Sequence, residues 1–502
     1  MILIVLGCGL LSVTAWLLLR WRIVKSYWAK RNVPHNPPHP IVGSLDFLFK
    51  ENAVFWMRKI YNEFKSPYVG VWLFWRPALI INCPELARRV LVKDADNFKN
   101  KLISSGRTDP IGQLNLFTVN DPLWTSLRRR LNVIFTGAKL RSVHNIYSDK
   151  AKDLVTRIES DIRQKKLINL RSLFSDYTTD VFGDSAFGVS STATITGDSP
   201  LRRVTSDFTK FSMFRGLSWT SIFFMPELVD YFGFSFFPKS TITYLRKVFR
   251  SVVQQREQNK MDHGEIRDML DVLLKMKQEA KIDGEEISED LLLAQAAIFL
   301  QGGFDTSAVN LTFTIYELAH QPLIQEKLYA ELFEAQQKAN GELDSTILAE
   351  LSYLNAVLEE TLRKYPPLGF LDRIALKDYK IDDNLIIPAG TPIYVNAAGL
   401  QMDPNLFPEP EKFIPERFLP EHNSVKPYTH MPFGEGPRHC IGKRFAYQTL
   451  RYGLSKVLLS FEVRPLPNSP LPNDCHIDAR SMLMMPDEVM SVEFINRKAK
   501  TA

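Results

Sequence analysis

The sequence predicts a helical body with a small β-sheet beside it, behind a membrane anchor at the N-terminus. Three observations predict this arrangement. Residues 2–19 carry no charge, residues 68–82 hold short runs of strand-forming side chains, and residues 291–320 form a long apolar run after an acidic helix cap. The chain shows no internal repeat, and its 45% hydrophobic content supports one large core.

The N-terminal apolar run is long enough to cross a bilayer. As a helix, residues 2–19 would span roughly 27 Å, close to the thickness of the hydrocarbon core. Arg20, Arg22 and Lys25 follow the run, and neither Lys nor Arg precedes it. The positive-inside rule therefore predicts a lumenal N-terminus and a cytosolic body. A cleaved signal peptide is the alternative, but the basic n-region and the A-x-A site of such peptides are missing.

Charge and cysteine spacing argue against several classes of function. Lys and Arg total 62 against 56 Asp and Glu, and this net charge of +6 is too small and dispersed to indicate nucleic-acid binding. The four cysteines are widely spaced and form no C-x-x-C pair. We therefore expect reduced thiols, without a zinc ribbon or a c-type haem attachment.

A glycine-rich stretch near the C-terminus carries the strongest chemical signal. Residues 433–442 read FGEGPRHCIG, and a helix is predicted to open at Lys443. Cys440 then precedes a helix N-terminus, where unpaired N–H groups and the helix dipole should lower the pKa of its thiol. The glycines allow sharp turns and the close approach of a flat cofactor. The pattern predicts a cysteine ligand; a buried cysteine in a turn is the alternative.

This stretch resembles the cysteine-ligand loop of the cytochrome P450 haem-thiolate monooxygenases, whose pattern is F-x-x-G-x-R-x-C-x-G. Phe433, Gly436, Arg438, Cys440 and Gly442 fill its fixed positions. The resemblance covers essentially the whole chain, because the W-x-x-x-R, G-G-x-D-T, E-x-x-R and P-E-R-F motifs precede the loop in family order. The arrangement is most similar to microsomal enzymes of the insect and vertebrate branch that metabolises xenobiotics and steroids.

The resemblance implies a mainly α fold with small β-sheets, the cytochrome P450 fold, as a single catalytic domain behind a transmembrane anchor. Residues 1–20 would form the anchor, 21–43 a basic and proline-rich linker, and 44–502 the haem-thiolate monooxygenase domain. Prolines fix φ and remove backbone donors, so the segment 34–40 is predicted to be a semi-rigid spacer.

The resemblance also implies haem b as the cofactor, with Cys440 as the iron ligand and Phe433 beside it. The residues expected to hold the two haem carboxylates are Trp124, Arg128, Arg373 and Arg438. Arginine and N–H donors suit carboxylates chemically. A Trp and an Arg four residues apart share a helix face, but such a pair alone is often only packing.

Three further charged residues are expected to support the cysteine loop rather than take part in chemistry. Glu360 and Arg363 form the E-x-x-R motif, and Arg417 lies in the P-E-R-F segment. An exposed pair at this spacing stabilises a helix by only a few tenths of a kcal/mol. The assignment of a buried, supporting triad therefore rests on the resemblance.

Asp305 and Thr306 are the predicted catalytic residues, in the middle of the long helix. Gly302 and Gly303 precede them, and each glycine in a helix interior costs about 1 kcal/mol relative to alanine. Close approach of a ligand, with a local opening of the helix, would explain the two glycines. By resemblance, this helix crosses the distal face of the haem, where Asp305 and Thr306 deliver protons. A threonine bonded to its own helix and a solvated aspartate are the alternative.

The substrate pocket is expected to be apolar. Residues 208–237 are dense in Phe and Met and resemble the family's pocket-roof helices, whose connecting loop can dip into the membrane; core, pocket and membrane contact all remain open. The predicted pocket residues are Phe117, Phe211, Phe214, Ile298, Phe370, Met482 and Leu483.

The resemblance implies an NADPH- and O2-dependent monooxygenase that hydroxylates or epoxidises apolar small molecules such as xenobiotics, steroids or lipids. The chain lacks a G-x-G-x-x-G dinucleotide fingerprint, so NADPH-cytochrome P450 reductase in the endoplasmic reticulum membrane is the expected electron donor. Whether cytochrome b5 also takes part stays open. A basic docking face for the reductase would consist of Arg128, Arg129, Arg130, Lys443 and Arg444, and a solvated basic surface without a partner is the alternative.

Two other functions are alternatives to a monooxygenase. A haem-thiolate isomerase or lyase would need no reductase, but it would also need no Asp305–Thr306 pair. A haem carrier or gas sensor would not need a large aromatic pocket. The identity of the substrate does not follow from the sequence, because pocket shape depends on side-chain packing.

Overall fold

The computed structural model describes residues 2–258, 268–282, 286–422 and 424–497. Parts of the predicted domains lie outside the described residues, namely Met1 of the anchor and residues 259–267, 283–285, 423 and 498–502 of the catalytic domain.

Helices dominate the described chain, as predicted. In chain order they are α1 (Ile2–Lys25), α2 (Ala53–Glu63), α3 (Pro84–Arg88), α4 (Pro110–Gln113), α5 (Leu123–Leu131), α6 (Gly137–Ser142), α7 (His144–Arg163), α8 (Leu170–Phe182), α9 (Ala193–Thr196), α10 (Pro200–Thr209), α11 (Met213–Phe224), α12 (Glu227–Phe232), α13 (Lys239–Gln258), α14 (Met269–Ile282), α15 (Glu289–His320), α16 (Pro322–Lys338), α17 (Ser345–Glu350), α18 (Ser352–Lys364), α19 (Ala397–Leu400) and α20 (Lys443–Ser460).

Short strands form small sheets beside the helices. The strands are β1 (Tyr68–Leu73), β2 (Arg76–Ile81), β3 (Leu371–Ile374), β4 (Tyr379–Lys380), β5 (Ile386–Ile387), β6 (Pro392–Val395), β7 (Phe461–Pro465) and β8 (Val492–Asn496). The largest sheet has the order β1-β2-β6-β3, with β2 and β6 parallel and the other neighbours antiparallel. The predicted strands in residues 68–82 are therefore confirmed as β1 and β2. The mainly α fold with small sheets is confirmed as well.

The central helix α15 begins and ends where the sequence predicts. Ser288 caps it, because its Oγ accepts a hydrogen bond from the Leu291 N–H at 3.2 Å, and Glu289 and Asp290 suit the positive end of the helix dipole. Most of its residues from Leu291 onward are buried, as expected of a helix that is apolar all round. It therefore forms the axis around which the other helices pack.

The two glycines of α15 have different surroundings. A Cβ on Gly303 would lie 2.5 Å from Cδ2 of Phe182, so the missing side chain lets α8 pack closely. A Cβ on Gly302 would meet nothing within 4 Å. The helix continues through both residues, and the local opening expected from the sequence is not present in the described helix.

The N-terminal segment has an exposed half and a docked half. Between Leu6 and Ile23, α1 exposes large apolar side chains, and it is long and apolar enough to cross a membrane. Beyond it, the buried Trp28 donates a hydrogen bond from Nε1 to Val71 O at 3.0 Å, and Trp72 donates from its own Nε1 to Val24 O at 3.0 Å. The first part of the predicted linker is thus packed against β1.

Candidate active site

A cavity of about 320 Å³ lies between α15 and the loop before α20. Its lining includes residues from α5, α15, α18 and β3, which meet here from distant parts of the chain. The predicted site residues that line it are Phe117, Trp124, Arg128, Ile298, Thr306, Phe370, Arg373, Phe433, Arg438 and Cys440. The structure therefore brings together most of the residues that the sequence assigns to cofactor, catalysis and pocket.

The loop of Cys440 owes its shape to its glycines. Gly434 and Gly436 have φ angles of 70° and 72°, in the left-handed region that favours glycine. A Cβ on Gly436 would lie 1.8 Å from Leu91 O, so no side chain fits there. The Cys440 N–H donates to Phe433 O at 2.7 Å and closes the turn. The sulfur is thereby held at the wall of the cavity.

The thiol of Cys440 does not show the low pKa expected from the sequence. Burial raises the pKa of this thiol, whereas the Gly442 N–H, Arg128 and Lys443 lower it. Although Cys440 is accessible from the cavity that it lines, protein surrounds the sulfur, and desolvation outweighs the helix N-terminus. A metal cation reverses this balance, because a coordinating thiol is deprotonated.

Arg438 is fixed by backbone carbonyls at the cavity wall. Its Nε donates to Lys99 O at 2.7 Å and its Nη1 to Val119 O at 3.0 Å, and its Cζ lies 4.0 Å above the Trp124 ring. Burial and the nearby Arg373 lower the pKa of Arg438 to about 9. The guanidinium is thus held in an unfavourable position that an anion would relieve.

Lys101 is a cavity residue that the sequence analysis missed. Its Nζ lies 3.4 Å from an Asp372 carboxylate oxygen and 4.1 Å from the Phe117 ring centroid. Burial lowers the pKa of Lys101 to about 8, against the attraction of Asp372 and with added repulsion from Arg373 and Arg438. A single lysine in a loop gives no sequence signal, because its neighbours here come from β3 and from the cysteine loop.

The charges of the lining fit an anionic, iron-bearing group. Four buried or half-buried cations, Lys101, Arg128, Arg373 and Arg438, line the cavity, and Asp372 is the carboxylate among the lining residues that the structure describes. Two further carboxylates would offset most of this surplus, and the sulfur of Cys440 supplies a soft metal ligand. The residues present therefore suit a haem with its two propionates.

The two predicted catalytic residues face different sides of α15. Thr306 lines the cavity and donates from Oγ1 to Gly302 O at 2.8 Å. Asp305 is buried, and a carboxylate oxygen lies 3.7 Å from Arg171 Nη2 on α8. Burial raises the pKa of Asp305 to about 6, against the attraction of Arg171. The carboxylate is not among the described groups lining the cavity, because consecutive helix residues point about 100° apart.

The predicted pocket residues divide into two groups. Phe117, Ile298 and Phe370 line the cavity. Phe211 and Phe214 are instead 48% and 50% exposed at the surface, and Met482 and Leu483 pack in or against the core. None of these four belongs to the lining as far as the structure describes it. Phe223, from the Phe- and Met-rich stretch for which a pocket role stayed open, also lines the cavity, and the lining residues that the sequence did not indicate include Phe135, Phe182, Phe299, Ser307 and Asn310.

The Glu360–Arg363–Arg417 group lies behind the cysteine loop. Arg363 Nε lies 2.7 Å and Arg417 Nε 3.5 Å from the Glu360 carboxylate, and the first pair is fully buried. Gln401 links this group to the loop, because its Nε2 donates to Arg363 O at 3.0 Å and its Oε1 accepts from the Met431 N–H at 3.2 Å. Gln401 is a further supporting residue that the motifs did not indicate.

The chain matches known proteins over most of its length. A family model described as Cytochrome P450 matches residues 33–494. Cytochrome P450 6k1 of Blattella germanica is 33% identical over 499 residues, covering 95% of this chain and 94% of the relative. Probable cytochrome P450 6g2 of Drosophila melanogaster is 33% identical over 470 residues, covering 89% and 90%. Cytochrome P450 6a2 of the same fly is 30% identical over 463 residues, covering 89% and 91%. The similarity thus includes every segment that lines the cavity.

Proposed function

Because the chain belongs to the cytochrome P450 family and is a haem-thiolate monooxygenase, we propose that it oxidises apolar small molecules such as xenobiotics, steroids or lipids at the Cys440 cavity. One oxygen atom enters the substrate and the other leaves as water: RH + O2 + NADPH + H⁺ → ROH + H2O + NADP⁺. Hydroxylation and epoxidation both fit this balance. The apolar lining carries the proposal on substrate class, with Ile103, Leu116, Phe117, Phe223, Ile298, Phe299 and Phe370 around the cavity.

Cys440 ligates the haem iron in this proposal. Phe433 lies beside it and is held by Tyr447, with ring centroids 5.2 Å apart. Trp124, Lys101 and the three lining arginines bind the two propionates. When bound, the haem supplies dioxygen activation, with the thiolate pushing electron density towards O–O cleavage. The protein contributes the anion-binding wall, the apolar surroundings and the proton-bearing groups.

Thr306 and Asp305 move protons in this proposal, from different positions. The Thr306 hydroxyl is at the cavity. Asp305 lies towards Arg171, and its pKa of about 6 lets it bind and release a proton near neutral pH. Asp305 therefore suits uptake of protons from the α8 side, and Thr306 suits their delivery.

The electron donor in this proposal is NADPH-cytochrome P450 reductase, and cytochrome b5 is a candidate second donor. The exposed Arg129, Lys443 and Arg444 form the part of the basic docking face that is open to solvent. Arg128 lines the cavity instead. Opposite charge on the flavoprotein would speed its association with this face.

We place the enzyme in the endoplasmic reticulum membrane, with α1 crossing the bilayer once and the catalytic domain in the cytosol. Exposed apolar side chains from α10 to α12 give a second membrane contact, which accounts for Phe211 and Phe214 better than a pocket role does. These side chains are Phe211, Met213, Phe214, Leu217 and Phe232.

The first test is the carbon monoxide difference spectrum of the dithionite-reduced protein in membranes. We expect a strongly red-shifted Soret band that Cys440→Ala abolishes. Cys475→Ala is the matched control, because Cys475 is a partly buried free cysteine elsewhere in the fold. A band typical of histidine-ligated haem, or no haem in the wild type, would refute the ligand assignment.

The second test separates monooxygenase from isomerase. Reconstitution with the reductase and NADPH should give an oxygenated product from apolar substrates, with one atom from ¹⁸O2. Peroxide rearrangement without reductase, and no NADPH-dependent product, would instead favour an isomerase or lyase.

A further inference from the structure

A second cavity of about 150 Å³ lies apart from the Cys440 cavity. It is surrounded by α10, α13, α14 and the first half of α15, together with the segment between α8 and α9. Leu201 lines it from α10, Val248 and Phe249 from α13, Leu270 from α14 and Leu293 from α15. The two cavities share no lining residue within the described parts of the chain. The second cavity is therefore not part of the site for haem and substrate.

The lining of the second cavity is uncharged and mostly apolar. No Asp, Glu, Lys, Arg or His is among the lining residues that the structure describes. Helix α13 contributes a stripe at helical spacing, in which Leu245 and Phe249 are buried and Tyr244, Val248 and Val252 are half-buried. A charged ligand would lose its hydration here without gaining an ion partner. The second cavity therefore suits a neutral, apolar molecule.

Charged pairs outside the second cavity set the separation of its helices. Arg246 and Arg250 of α13 lie 3.2 Å and 2.9 Å from a carboxylate oxygen of Glu289, at the start of α15. Arg256 of α13 donates to Asp268, just before α14, at 2.8 Å. Protein interiors are normally close-packed, with few voids larger than a water molecule. These pairs hold α13 in place, so the gap behind its apolar stripe does not close.

Hydrogen bonds also fix the loop at the mouth of the second cavity. Asp184 Oδ1 accepts from the Ser191 N–H at 3.2 Å, and Ser191 Oγ donates to Ser199 Oγ at 2.9 Å. Ser190 and Thr192 line the cavity and are exposed to solvent. A small molecule can therefore enter from solvent past these two side chains.

We propose that the second cavity is a ligand site that binds one neutral apolar molecule of about the size of a single aromatic ring. An engineered apolar cavity of about 150 Å³ stays dry and binds benzene. Water is a poor occupant of such a space, because a buried water needs several polar partners and the inner wall here is aliphatic and aromatic. A ligand would also regain the packing contacts that an empty cavity lacks. The site does not depend on which substrates enter the Cys440 cavity.

The test uses the haem-loaded full chain with its Cys440 cavity saturated by 4-phenylimidazole, whose ring nitrogen ligates iron. Crystals soaked in bromobenzene should show an anomalous bromine peak between Leu201, Phe249 and Leu293. In solution, headspace measurements of benzene should show about one more equivalent bound per chain by the wild type than by Val248→Phe, whose added ring fills the cavity. Uptake by detergent is common to both proteins and cancels in this difference.

Two further variants make the result decisive. Ala296→Leu fills the same space from α15 and should remove the same equivalent of benzene even if Val248→Phe does not fold. Ser251→Phe adds a ring on the exposed face of α13, at a position outside the described lining, and should bind benzene as the wild type does.

Equal uptake of benzene by the wild type and both filled variants would overturn the site. So would a cavity that holds only ordered waters, or a detergent alkyl chain in place of bromobenzene. A bromine peak without a difference in solution uptake would mean binding at crystal concentration only, and would overturn it as well. The same loss of uptake in Ser251→Phe would show that the difference does not arise in the cavity.

Discussion

At the scale of single residues, the cavity wall carries cations whose charged forms are destabilised by burial. Burial lowers the pKa of Lys101, Arg128, Arg373 and Arg438, because removing water penalises their charged forms. Asp372 offsets only part of this charge. The cavity wall therefore favours the binding of anions, and a pair of carboxylates would pair with its cations.

We expect Lys101→Met to speed haem loss several-fold at pH 7 and to flatten its pH dependence. The pKa of Lys101 is about 8, so the free site holds the proton at pH 7 and loses it at pH 9. Carboxylates raise this pKa on binding, so binding takes up a proton and affinity falls as the pH rises through about 8. Haem transfer to an excess of apomyoglobin at both pH values measures this.

Lys99→Met is the matched control for that experiment. Lys99 pairs with Asp96 at 2.8 Å and does not line the cavity, so its loss should leave haem transfer unchanged. Equal pH dependence in the wild type and Lys101→Met would remove Lys101 from the anion-binding wall.

We expect Asp305→Asn to gain stability relative to the wild type as the pH rises from about 4 to 6. The pKa of Asp305 is raised to about 6 by burial, so the folded state binds this proton more tightly than the unfolded state. In that window the Asp305 carboxyl ionises in the unfolded state but stays protonated in the folded state. The wild-type stability therefore falls as the pH rises, by on the order of 2–3 kcal/mol above pH 6. Asparagine does not ionise and escapes this loss.

Thermal unfolding of the haem-loaded protein at pH 4.5, 6 and 7.5 measures the difference. Asp305→Glu keeps an ionisable group and should retain the wild-type trend. A difference between wild type and Asp305→Asn that does not change with pH would mean that Asp305 has an ordinary pKa in the folded protein.

Sequence motifs predicted the residues of the cavity wall better than their orientations. The spacing around Cys440 identified the loop, because glycines at Gly434 and Gly436 leave few conformations open. The same spacing did not predict that burial would raise the pKa of the Cys440 thiol more than the helix N-terminus lowers it. Lys101 was missed because its role depends on contacts across the fold. Asn310 carried a usable signal, since a polar side chain four residues from Thr306 had to share its face.

At the scale of elements, Gly303 of α15 sets how closely α8 packs, whereas Gly302 does not contact α8. Gly303 faces Phe182, whose ring is buried and packs against Phe187 and Phe445 with centroids 5.8 Å and 5.5 Å away. Because these neighbours restrain the ring, it has little room to move. Gly302 and Gly303 both line the cavity.

We therefore expect opposite effects of alanine at adjacent positions. Gly303→Ala should destabilise the fold by about 1–3 kcal/mol, since its Cβ overlaps the Phe182 ring. Gly302→Ala should stabilise it by about 1 kcal/mol through helix propensity, since nothing lies within 4 Å of the added Cβ. Thermal unfolding of both variants gives the comparison. Equal effects would mean that α8 adjusts freely to the added methyl group.

The bounds of the long elements followed from the sequence, and the packing between them did not. The Ser288 cap and the long apolar run from Leu291 predicted the bounds of α15, and Pro366 after α18 accounts for where that helix ends. The expected opening at Gly302 and Gly303 arose from treating both glycines as one signal. The two glycines have different surroundings because of the position of α8, which no local sequence pattern predicts.

At the scale of the whole molecule, the order of motifs along the chain predicted the family and fold, but the boundary between anchor and domain was less clear. Val24, Trp28 and Val33 belong to a core with residues of β1 and β2, although the sequence places them in a linker. A Cβ on Gly70 would lie 2.4 Å from the Trp28 ring, so the two surfaces fit tightly.

We expect Trp28→Ala to destabilise the catalytic domain by about 3–5 kcal/mol, as for large aromatic side chains removed from a core. Trp16→Ala is the control, because Trp16 is 61% exposed on α1 and should affect only membrane partitioning. Thermal unfolding and flotation with liposomes separate the two effects. Unfolding of Trp28→Ala at the wild-type temperature would show that this segment is a free tether.

The docking of Trp28 has a mechanical consequence. A domain joined to its anchor by a flexible linker would rotate freely above the bilayer and present every face to it in turn. Here a hydrogen bond from Trp72 Nε1 to Val24 O fixes the last turn of α1 to the sheet, so the domain rotates and tilts together with α1. The orientation of the cavity relative to the membrane plane is then set by contacts within the chain itself, before any lipid or partner contributes.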